Sequence, residues 1–192
     1  MSPLELCVKG DLFLVSLATK FVKGWNWTTG KTRADIAAIV HSSSAILAPM
    51  NSLANGDYSK GGLYAALFGV GSIDNAQAFY EIDDLEAKFQ QAATLDTKIM
   101  EFQQDAKHIS QTTLAAGAVA VMGGEPAFGK AQEPIQGDFP YFGAGLVTVG
   151  ISHYLMRAEY VRPRKSCIHR GIDKLSDISQ SSLAQPAYAQ NS

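Results

Sequence analysis

Apolar and polar positions fall in blocks along this chain. Four stretches contain no Asp, Glu, Lys or Arg: 36–56, 61–73, 108–124 and 139–156. Asn55-Gly56-Asp57 separates the first two, and the glycine and proline residues between Gly123 and Pro140 separate the second two. Gly, Pro, Asn and Asp are the residues that punctuate turns. Each pair therefore predicts a helical hairpin, over 34–80 and 109–157. The second member of each pair is rich in glycine and aromatic residues. Gly61-Gly62-Leu63-Tyr64-Ala65-Ala66-Leu67-Phe68-Gly69 weakly echoes Tyr141-Phe142-Gly143-Ala144-Gly145-Leu146-Val147.

Between the pairs lies a charged stretch without Gly or Pro, 81–107. Its apolar residues stand at Ile82, Leu85, Phe89, Ala92, Leu95, Ile99, Phe102, Ala106 and Ile109. Steps of three and four predict one amphipathic helix over 81–108, with a slip in the heptad near Ala92–Leu95. Leu85, Phe89, Ile99 and Phe102 are its candidate partner-binding residues. Leu14, Leu17, Phe21 and Trp25 predict a further amphipathic helix within residues 1–33. Residues 158–192 read as a basic segment that passes, from about Ser176, into a disordered Ser/Gln/Ala-rich tail. The expected fold is all-α: an N-terminal amphipathic helix and two apolar helical hairpins joined by a long amphipathic helix.

Charge placement suggests a location. If the four charge-poor stretches cross a membrane, fourteen of the sixteen Lys and Arg residues fall on one side, leaving Lys60 and Lys130 on the other. That is the bias that orients membrane helices. Trp25 and Trp27 beside Lys20, Lys23, Lys31 and Arg33 suit interface anchors, because indole combines an apolar ring with a polar N–H. Length argues the other way. A span takes about 20 apolar residues, and 61–73 is short. The expectation is nonetheless a small multi-pass membrane protein. It would serve as a non-catalytic accessory or assembly subunit, with membrane lipid and other protein subunits as partners.

Composition sharpens this only in part. Charged residues make up 18% of the chain, below the roughly 25% usual for soluble domains. The mean hydropathy is only -0.01. A net charge of -2 argues against a strongly basic nucleic-acid binder. Cys7 and Cys167 form no metal-ligand spacing and read as free thiols. The early acids Glu5 and Asp11 do not fit a secretory signal. Asn26-Trp27-Thr28 matches the short glycosylation pattern.

Phosphate-loop, nucleophile-elbow, zinc-protease, calcium-loop and dinucleotide motifs are all missing, so no enzyme activity is expected and no cofactor can be named. Three polar residues stand out in the apolar segments: His41, Asp74 and His153. Such residues are costly in apolar surroundings and are often functional. His41 and His153 are therefore candidate cofactor ligands, for example of haem, and Asp74 is a candidate for a proton or ion path. Two alternatives stand beside the accessory subunit. One is a soluble all-α interaction or scaffold protein. The other is a channel, transporter or haem-binding redox subunit using the two histidines and Asp74.

Overall fold

The computed structural model describes residues 2–89, 97–122 and 138–183. They form seven helices: α1 (Pro3–Thr29), α2 (Arg33–Leu47), α3 (Met50–Ala54), α4 (Tyr58–Phe89), α5 (Thr97–Val121), α6 (Phe139–Arg157) and α7 (Cys167–Leu183). There is no strand among the described residues, so the all-α class is confirmed.

Local chemistry sets the first two helix starts. Ser2 and Glu5 close a capping box at α1, and Thr32 and Asp35 close one at α2. Gly30 ends α1 with φ +76°, a left-handed turn that favours a residue without Cβ. Pro49 lies between α2 and α3, and Gly56, also at positive φ, lies between α3 and α4.

Helix α6 is the hub, packing against α5, α2 and, more lightly, α1; α2 packs in turn on α4. Glycines permit the closest of these approaches. A Cβ on Gly117 would come within 2.8 Å of Gly143 O, and one on Gly143 within 2.7 Å of Gly117 O. The core lies where the second half of α1 meets the start of α2 and the ends of α4 and α6. Val22, Ile36, Phe79, Ile82, Leu155 and Met156 fill it. Burying each such side chain stabilises the fold by about 1.5–3 kcal/mol.

Three polar knots tie distant elements together. Arg157 meets Asp11 through two bonds of 2.7 Å, and Tyr154 donates to the same carboxylate at 2.8 Å. Arg33 donates to Asp83 at 3.0 Å and to Ala158 O, and its other terminal nitrogen makes an ion pair with Glu86 at 2.7 Å. Asp138, at the start of α6, pairs with Lys60 and accepts from Asn51 and Ser52 at 3.0 Å each.

Several expectations change. No described helix is long and apolar enough to cross a membrane. This overturns the expected membrane location and the topology drawn from the charge split. The charge-poor stretches are not four helices. Pro49 interrupts 36–56, whereas 61–73 and 108–121 are parts of helices whose remaining turns are charged. Only 139–156 coincides with a helix, α6, which carries three glycines, Pro140, Ser152 and His153. The connecting helix of 81–108 is shared between α4, which runs on to Phe89, and α5, which begins at Thr97. The slip at Ala92–Leu95 lies outside the described residues. The tail expected from Ser176 begins inside α7, which continues to Leu183.

A candidate two-histidine site

His41 comes from the middle of α2 and His153 from the last turns of α6, and the packing of these helices brings them together. Their ring centroids are 5.7 Å apart, with the planes tilted by 59°. Both are buried, at 3% and 2% exposure. Phe79 of α4 meets both rings edge-on, at 5.9 Å from His41 and 5.3 Å from His153.

Each Nδ1 has a partner. His153 Nδ1 is 2.9 Å from Val149 O, one helical turn earlier. His41 Nδ1 is 3.0 Å from Ser152 Oγ, and that hydroxyl is 2.7 Å from Val149 O. Burial disfavours the charged imidazolium. It lowers His41 to about 4, with the neighbouring His153 adding to the shift. Burial also lowers His153, against a hydrogen bond to Val149 O that favours its charged form. Both shifts favour the neutral ring.

The pair borders a cavity of about 340 Å³, whose walls include Leu67, Phe68, Asn75, Phe142 and Val149. Among the described residues, no carboxylate, lysine or arginine lines it. Asp74 is exposed on α4, and it is the adjacent Asn75 that reaches the cavity, so the expected proton path does not pass through this site. The two rings expected as haem ligands thus lie beside each other and against Phe79. Among the described residues no cluster of three or more His, Cys, Asp or Glu side chains is placed to hold a metal ion.

The other candidates lie elsewhere. Ile99 is buried, Leu85 and Phe102 pack against the core, and Phe102 meets Phe79 at 6.2 Å. Phe89 is half-buried. Ile99, Leu85 and Phe102 thus contribute to the chain's own core packing, while Leu85, Phe89 and Phe102 each keep part of their surface uncovered. Trp25 packs against the core and borders a hollow of about 690 Å³ with Ile39, Ile46 and Tyr80. Trp27 is exposed beneath Arg170 of α7, whose guanidinium carbon is 5.7 Å from the ring centroid. Sequence reading singled out both histidines but missed Phe79, Asn75 and Ser152. An ordinary apolar or small polar residue carries no local signal of what it faces.

Comparisons with protein families, with curated proteins and with solved structures find no match.

Proposed function

We propose that this chain is an all-α interaction protein that docks partner chains on the apolar faces its own helices leave uncovered. The observation that carries the reading is a stripe on α1. Leu6, Phe13, Leu17 and Phe21 stand seven, four and four residues apart, which puts them on one side of the helix. All four are 53–66% exposed. The opposite side of α1, with Ala18, Val22 and Asn26, is buried. A helix of this kind has one face committed to the fold and one free for a partner. Leu63, Leu67 and Val70 repeat the pattern on α4, as do Ile168, Ile172 and Leu175 on α7. Contiguous exposed apolar surface of this sort marks interaction sites in folded proteins.

The test uses a photo-crosslinking amino acid in place of Leu17 in cells, with a control at Glu101, which is exposed on α5. The expected result is a discrete protein adduct from position 17, absent from position 101 and lost when Phe21 is changed to Asp. Equal, diffuse labelling from both positions would sink the proposal.

A further inference from the structure

The uncovered face of α1 has a symmetry that docking in general does not require. Counted from Leu17, phenylalanine stands four residues away in both directions, at Phe13 and Phe21, and glycine stands seven away in both, at Gly10 and Gly24. At 3.6 residues per turn, all five lie within about 40° of Leu17 around the helix. All five are exposed. The pattern therefore reads the same from either end of the helix. Two copies that meet through one patch about a two-fold axis need a surface of this self-complementary kind. The two glycines have no task inside the chain, since a Cβ on either would meet nothing within 4 Å. Glycine inside a helix costs about 1 kcal/mol relative to alanine, and what it permits is the close approach of another element.

We infer that α1 pairs with α1 of a second copy of this chain, antiparallel, about a two-fold axis beside Leu17. This pairing presupposes that the stripe docks a protein, and it names which one. Residues equally far from Leu17 in opposite directions then lie at the same height on the two copies. Leu17 meets its own equivalent at the axis. Each Phe21 comes alongside the other copy's Gly10 and Leu14, and each Phe13 alongside the other copy's Gly24. The rings thus fall where the facing helix carries least side chain. Charge agrees with this. No acid stands on the stripe, and Lys20 lies exposed at its edge, as expected of an interface whose centre is depleted of charge. Area is also sufficient. Leu6, Phe13, Leu14, Leu17 and Phe21 are 36–66% exposed. Together they offer roughly 600 Å² per copy, or about 1,200 Å² for the pair, the lower end of stable interfaces.

Sedimentation equilibrium of the full chain should show a species of twice 20.6 kDa at micromolar concentration. Leu17→Asp should weaken this association by at least about thirtyfold. It should leave the helical spectrum unchanged, because Leu17 is 53% exposed. Oxidation then reads the direction, in full chains that also carry Cys7→Ser and Cys167→Ser. Leu17→Cys should form a disulfide-linked pair. A mixture of Phe13→Cys and Phe21→Cys chains should link 13 to 21 in preference to 13–13 or 21–21, whose members lie about 12 Å apart along the helix axis. A dimer that Leu17→Asp leaves intact, no link at position 17, or 13–13 pairs in excess of 13–21 pairs would each overturn the inference. A chain that stays monomeric yet gives a discrete adduct with another protein from position 17 refutes self-association alone. A monomer with diffuse labelling refutes the docking reading as well.

Discussion

At the scale of single residues, the most consequential contact spans about three quarters of the chain. Asp11 and Arg157 are 146 positions apart, and each side chain is only 10% exposed. The hydrogen bond from Arg157 holds the Asp11 carboxyl well below the usual carboxylate range, with the Tyr154 hydroxyl assisting against the penalty of burial. Removing one member strands the other charge. Asp11→Ala is expected to cost about 3 kcal/mol in urea unfolding, at the lower end of values for broken buried pairs because the site is not fully enclosed. Replacing the exposed Asp74 by Ala should cost less than about 0.5 kcal/mol in the same assay. Nothing local in the sequence announces Asp11: it is one acid in a helix otherwise read for its apolar stripe. His41 and His153 are different, because an ionisable residue inside an apolar stretch is visible without a structure.

At the scale of elements, helix content was legible and helix function was not. The three-and-four spacing around Ile82 and Ile99 predicted helix, and α4 and α5 supply it. The same spacing cannot distinguish a stripe that faces another protein from one that faces the chain's own core, which is where Ile99 lies. Charge-poor stretches were equally ambiguous. Glycine, alanine and serine lower charge without adding much hydrophobicity, and in α6 they serve close packing instead. Small-residue spacing shows the distinction within one pair of positions. Gly117→Ala would press its Cβ to within 2.8 Å of Gly143 O and of a Val147 methyl. It is expected to destabilise by about 2–3 kcal/mol through overpacking, lowering Tm by about 4–12 °C for a chain of this size. Gly69→Ala has nothing within 4 Å to meet, so it should be neutral or stabilise by up to about 1 kcal/mol from helix propensity. Calorimetry of the two variants checks both signs.

At the scale of the whole molecule, burial of ionisable groups gives stability a stepped dependence on pH. His41 falls from 6.5 to about 4 on folding. Its contribution is complete above about pH 6.5 and is lost as pH falls towards 4, because the unfolded chain takes up the proton first. That loss amounts to about 3 kcal/mol, and His153 adds to it in the same direction. A second decline comes at lower pH. Asp11 and Asp138 are both depressed below 3.8; for Asp138, bonds from Lys60, Asn51 and Ser52 outweigh burial. Their stabilisation is present above the unfolded carboxylate value and is lost as pH drops through the folded one. Asp83, raised by burial despite Arg33, acts in the opposite sense. Unfolding midpoints measured from pH 8 to pH 3 should show the first fall between 6.5 and 4, and His41→Phe should flatten it. The hub position of α6 has a consequence for how the molecule is made. Helix α2 is complete at Leu47, but the surface it buries against α6 has no counterpart until Arg157 has been added. At translation rates of about 5–20 residues per second, those roughly 110 residues take about 5–20 s. Throughout that interval the nascent chain carries an open seam, so its exposure to chaperones and proteases is set by the ribosome's pace as much as by the stability of the finished fold.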